Sequence, residues 1–170
     1  MNSHEKNKRL EETRNRLVSF AQLAERCHIY EDMQHYIISL IEVFLPINSQ
    51  FVREHEKDLL NEEKNLFNAA FKTPLASRRR QWRLVMEKLQ DKSNSPQNQK
   101  EPYSTKVLLI TKHQLEEEIK QMCNKALEHM GYLIEKAMSN EGKAFYYKMS
   151  ADYKRYKLDF DNEGDELEEK

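Results

Sequence analysis

The sequence has almost none of the residues that build turns: three glycines and four prolines in 170 residues. Hairpins and barrels need such residues at every reversal, so an extended β architecture is excluded. Cysteine is as scarce. Cys27 and Cys123 form no CxxC or CxxxC pair, so neither a zinc site nor a disulfide framework is signalled. Both fall on apolar helix faces and are expected as small buried thiols. There is no glycine-rich phosphate loop, GxSxG elbow or HExxH pair. One Glu-x-x-His, Glu25 to His28, would serve a di-iron bundle only beside a second copy, which the sequence lacks. No enzyme, metal or cofactor is expected. The first residues are polar with no apolar signal core. The longest apolar-rich stretch, YIISLIEVFLP (36–46), is too short and too interrupted to span a membrane. The expectation is a soluble protein of the cytoplasm or nucleus.

What is present is charge interleaved with apolar residues, 34% and 38% of the chain, a mixture that suits amphipathic helices. The reading is all-α, an antiparallel helical array in one domain over 1–160. Helices are predicted at about 5–27, 30–44, 61–89, 104–139 and 142–160. The fourth shows the clearest stripe: Leu108, Leu115, Ile119, Met122, Ala126, Met130, Leu133 and Ala137. Asn61 is the predicted cap of the third helix, with Glu62 and Glu63 against its N-terminal dipole. Residues 45–58 read as a connection with one helical turn, and 91–102 as a flexible loop without apolar residues. From Asp159 onward seven acids face one lysine, a net of −6, so 161–170 is predicted to be a disordered acidic tail.

Against a net charge of −1, one segment stands out: FKTPLASRRRQWRLV (71–85), with Lys72, Arg78, Arg79, Arg80, Arg83 and the single tryptophan, Trp82. A nucleic-acid helix, a solvated face and half of a selective anion site all fit a basic cluster. The neutral balance disfavours nucleic acid. Lys72 and Arg79 are seven residues apart, nearly two turns, and leave the helix on one face. Lys148 and Arg155 repeat that spacing on the fifth helix, with Tyr156 alongside. If the two helices pack side by side, Lys72, Arg79, Arg155 and Tyr156 converge. Each guanidinium can then donate two parallel hydrogen bonds to a phosphate, and the phenol one more. Arg78, Arg80 and the run Glu116-Glu117-Glu118 read as solvated charge, and Trp82 as a packing residue.

Three stretches resemble the 14-3-3 family, in order along the chain: LAERCHIYEDM (23–33), LNEEKNLFNAAFKTPLASRRRQWRLV (60–85) and KAFYYKMSADYKRYKLDF (143–160). The resemblance implies roughly the first five helices of that fold and a non-enzymatic adaptor that binds phosphoserine or phosphothreonine peptides of client proteins. It places the family's phosphate ligands at Lys72, Arg79, Arg155 and Tyr156. Lys148 matches a further basic groove residue. Asp159 matches a glutamate near the pocket and, four residues after Arg155, is expected to hold that guanidinium.

The chain also departs from the family. Pro74 stands between Lys72 and Arg79, where it removes a backbone donor and tends to kink the helix. About a dozen residues are inserted within 45–58. The family's dimer uses an arginine and an aspartate of the second-helix start; here they match Ile29 and Asp32. Their partners match Glu118 and Gln114, so each ion pair has lost one member, and Lys88 and Thr111 replace two apolar or aromatic contacts. Family members continue for four further helices that carry the apolar wall of the peptide groove. Weakened phosphopeptide binding is therefore expected. The alternative is a structural fragment that associates with 14-3-3-like chains and no longer reads phosphate.

Overall fold

Five helices carry the apolar periodicity in the computed structural model, which describes residues 3–44, 58–94 and 103–161. They are α1 (Ser3–Arg26), α2 (Tyr30–Phe44), α3 (Asn61–Asn94), α4 (Thr105–Lys136) and α5 (Asn140–Asp161), with no strand among the described residues. The all-α reading holds. The insertion and connection at 45–57, the stretch 95–102 and the acidic end 162–170 lie outside the described residues. Residues 91–94, expected as loop, continue α3 to Asn94. There Ser93 Oγ donates back to the Leu89 carbonyl at 3.1 Å, and Lys92 Nζ donates to the carbonyl of Tyr103.

The residues group into two compact units, 1–73 with 128–151 and 74–127 with 152–170. In the first unit α1 packs on α2. Its core takes Ala21 and Ala24 from α1, Met33, Ile37, Leu40 and Ile41 from α2, and Leu66, Phe67, Ala70 and Phe71 from α3. Met130 and Leu133 of α4 and Tyr146 and Met149 of α5 complete it. The second unit buries Leu75, Leu108, Leu115, Ile119, Cys123, Ala126, Tyr153 and Phe160.

Helix ends differ from the sequence reading in three places. Cys27, expected to be buried, is exposed, because α1 stops at Arg26 and the cysteine falls off its periodic face. His28 then turns the chain with φ of 58°. Its N–H bonds the Glu25 carbonyl at 3.0 Å, and the Ile29 N–H bonds the Ala24 carbonyl at 2.9 Å. This six-to-one, five-to-two pair is a Schellman cap, usually closed by glycine. A β-carbon in that left-handed conformation costs roughly 1–2 kcal/mol. His28→Gly is therefore expected to raise the melting temperature by a few degrees in a thermal scan, about 2–4 °C per kcal/mol at this size.

The start of α3 is the second difference. The Lys64 N–H bonds the Leu60 carbonyl at 2.9 Å, so Leu60, and not Asn61, holds the cap position. A leucine offers no capping oxygen. Glu63 supplies one from three residues on, accepting the Leu60 N–H at 2.8 Å, the return half of a capping box. The same carboxylate meets Arg14 of α1 through two parallel contacts of 2.5 Å, with side chains only 12% and 2% exposed. Arg14 also donates to the Asp58 carbonyl at 3.2 Å and lies 5.1 Å from the Phe44 ring centre. Third, α4 ends at Lys136, before the predicted 139, and leaves Ser139 free to cap α5.

Pro74 sits inside α3, and the helix continues through it. Having no N–H, proline leaves the carbonyl four residues earlier without its helical donor. That carbonyl belongs to the buried Ala70, and Gln34 Nε2 of α2 donates to it at 2.9 Å. Gln34→Leu should cost about 1–3 kcal/mol, the penalty for stranding a buried acceptor. In a Pro74→Ala background, where the helical donor returns, the same change should cost well under half as much. Urea unfolding of the four chains gives the coupling, and equal costs in both backgrounds would sink the assignment.

Candidate functional site

In the second unit, Trp82 fixes how α3 presents its basic face. The indole N–H donates to Glu116 Oε1 at 2.9 Å, and the ring meets Phe160 edge-on at 5.1 Å between centres. The tryptophan is thus the packing residue expected. Glu116, read as solvated, is an internal acceptor that also lies 3.4 Å from Lys112. Arg78 is likewise not simply solvated charge: it pairs with Glu118 at 2.8 Å and donates to Gln81 at 2.9 Å.

One turn before Trp82, Arg79 lays its guanidinium over the Tyr156 ring, 4.2 Å from the centre, with 24% of its side chain exposed. Arg155 reaches the same ring at 5.2 Å and is 67% exposed. A phenol face carries negative quadrupole, so one ring can hold two like-charged guanidiniums near each other. Each arginine also has a carboxylate. Asp159 lies 3.5 Å from Arg79, and Asp152 lies 3.2 Å from Arg155. The sequence pairs Asp159 with Arg155 by spacing, but the structure sets it against Arg79. Asp152, three residues before Arg155, takes that role, a pair that helical spacing of three also permits.

Beneath this surface lie Tyr153 and Cys123, both fully buried. Burial pushes the Cys123 thiol up to about 11, against the pull of Arg79 and Lys157, which makes it a poor nucleophile. Burial raises Tyr153 too, with Cys123, Tyr156 and Asp152 adding to the shift. Its hydroxyl has no hydrogen-bond partner among the described residues.

Thus Arg79, Arg155, Tyr156 and Asp159 come together in the second unit. Lys72 and Lys148 are exposed in the first. Of the dimer positions, Ile29 is 49% exposed, Asp32 and Gln114 are exposed, and Glu118 is engaged by Arg78. Among the described residues no group of three or more His, Cys, Asp or Glu could hold a metal ion. No described helix is long and apolar enough to cross a membrane.

The model of the 14-3-3 protein family matches residues 20–170. A 14-3-3 protein homolog of Trichoderma harzianum is 34% identical over 146 residues, 84% of this chain and 49% of that protein. The 14-3-3 protein homolog 2 of Echinococcus multilocularis is 34% identical over 142 residues, covering 82% of this chain and 49% of its own length. Human 14-3-3 protein beta/alpha is 33% identical over 143 residues, 82% of this chain and 50% of its own. The chain therefore spans about half the length of the relatives it matches. With the family match covering nearly all of it, the chain belongs to the 14-3-3 protein family.

Proposed function

We propose that this chain is a non-enzymatic adaptor that binds phosphoserine or phosphothreonine peptides of client proteins. The observation that carries this reading is the stacking of Arg79 and Arg155 on the one Tyr156 ring at an exposed surface. Two guanidiniums held in this way present parallel N–H donors to phosphate oxygens, and the phenol hydroxyl adds a third group. Lys72 and Lys148 are the two further basic residues that this reading assigns to the peptide, both exposed in the first unit. Asp159 and Asp152 orient the two arginines. Fluorescence anisotropy of a phosphorylated peptide against its unphosphorylated twin tests the reading. Tighter binding of the phosphorylated form, lost in Arg155→Ala, is expected; equal affinities for the two peptides would end it.

A second reading concerns association. The chain keeps the acidic member of each dimer ion pair, Asp32 and Glu118, and carries Ile29 and Gln114 where the basic members stand in relatives. Two copies of this chain form neither pair. One copy with a longer relative regains both through the relative's arginine and lysine. Exposed pairs contribute little singly, but here they favour the mixed pair, since two copies of this chain leave Asp32 and Glu118 facing Gln114 and Ile29 instead of a cation. Sedimentation of the chain alone and mixed with a longer relative separates the cases. A monomer that ignores the relative would refute hetero-association.

A further inference from the structure

In the first unit, a carboxylate from outside α5 holds the link just before that helix. Asp58 accepts the Met138 N–H at 2.7 Å and the Ser139 N–H at 2.9 Å. Burial alone would raise its pKa; the Ser139 hydroxyl, the two N–H groups and the Lys64 charge together hold it below the usual carboxylate value. Ser139 Oγ accepts the Gly142 N–H at 3.0 Å. A β-carbon on Gly142 would stand 2.9 Å from that Oγ and 3.2 Å from Asp58 Oδ2, so the cap needs glycine there.

Beside this cap opens a cavity of about 520 Å³, lined by Leu60 and Asn61 at the start of α3 and by Met138 and Ser139 before α5. Two helix N-termini, each with partial positive charge and orphan N–H groups, border one space. Lys64 lines it as well and is only 7% exposed. No hydrogen bond or ion pair holds its ammonium among the described residues; Asp58 is the charge it senses. A lysine only 7% exposed, with no ion pair among the described residues and lining a cavity between two helix starts, offers positive charge beyond what the single carboxylate present balances.

We propose that Ser139 is a phosphorylation site whose phosphoryl group is received by Lys64 and the N-termini of α3 and α5 in place of Asp58. Ser139 is exposed on the link between α4 and α5, with Glu141 two residues on. The modifying enzyme is a serine kinase using ATP. The Ser139 oxygen bonds to the γ-phosphorus, the bond from that phosphorus to the β,γ-bridging oxygen breaks, ADP leaves with the electron pair, and the hydroxyl proton passes to the kinase's base. The product carries about −1.5 to −2 charge and three strong acceptor oxygens. It removes the hydroxyl that Asp58 now bonds, and it competes for the same backbone N–H groups. Asp58 is expelled, and the tie between the start of α3 and the α4–α5 link opens.

The test uses the full chain with phosphoserine encoded at position 139. In ³¹P NMR the second ionisation of the phosphate should fall about one pH unit below its free value of about 6, and Lys64→Met should return it. Hydrogen exchange at residues 58–60 should speed up roughly tenfold as Asp58 leaves. If the phosphorylated chain does not fold, Asp58→Asn removes the competing carboxylate and carries the same titration. In parallel, the purified chain is incubated with ATP and an acid-directed serine kinase, with Ser139→Ala as control; mass spectrometry should find phosphate on Ser139. A phosphate titrating at its free value regardless of Lys64, or no incorporation at Ser139, overturns the proposal.

Discussion

Glu63→Ala should remove about 3–5 kcal/mol of stability, the cost of breaking a buried ion pair by deleting one partner. Small domains hold only about 5–15 kcal/mol in all, so the melting temperature should fall by roughly 10 °C. Three losses coincide at this carboxylate. Arg14, which also donates to the Asp58 carbonyl and lies over the Phe44 ring, loses its carboxylate while largely buried. The Leu60 N–H loses its acceptor. The tie between α1 and α3 disappears. A double replacement, Arg14→Met with Glu63→Met, separates the pair's own worth from the penalty of stranding a charge. It should cost far less than the single change, because well-packed apolar residues often replace buried pairs with little loss. Urea denaturation decides it. A single-mutant cost under 1 kcal/mol would show that the pair is solvated.

Arg79→Ala should weaken phosphopeptide binding by roughly 10- to 100-fold, the range set by losing a charge-assisted hydrogen bond of about 1.5–3 kcal/mol. The unphosphorylated peptide should be nearly unaffected. Tyr156 divides the contribution further. Its ring contacts both guanidiniums at 4.2 and 5.2 Å, while its hydroxyl is a single donor. If the ring sets the spacing of the arginines, Tyr156→Phe keeps most of the phosphate preference and Tyr156→Ala loses it almost as fully as Arg79→Ala. Equal losses from Phe and Ala would assign the role to the hydroxyl instead. Calorimetric titration of all three variants with the same peptide distinguishes the outcomes.

The sequence revealed the helices because their stripes are local. Leu115, Ile119, Ala126, Met130 and Leu133 are buried, as their spacing requires. Where a helix stops is less visible. Cys27 continued the stripe of α1, but His28 had already turned left-handed, and no glycine marked the place. At the start of α3, Asn61 looked like a cap, while the acceptor came from Glu63, itself fixed by an arginine 49 residues away. The candidate site divides along the same line. Seven-residue spacing placed Arg79 on a common face with Lys72, and adjacency placed Tyr156 beside Arg155. That Asp159 serves Arg79, and that Glu116 is taken by Trp82, depends on which helices become neighbours. Composition and period do not encode those choices directly.

The proline in α3 carries a consequence for how such a sequence can change. Gln34 and residue 74 are 40 positions apart, yet the side-chain amide of one supplies the hydrogen bond that the other has lost. Substitution order then matters. A donor at 34 that precedes the proline makes the proline tolerable, whereas the proline arriving first strands a buried carbonyl. This is epistasis with a defined atom at its centre, the oxygen of Ala70. The chain cannot readily retreat from Gln34 while Pro74 remains.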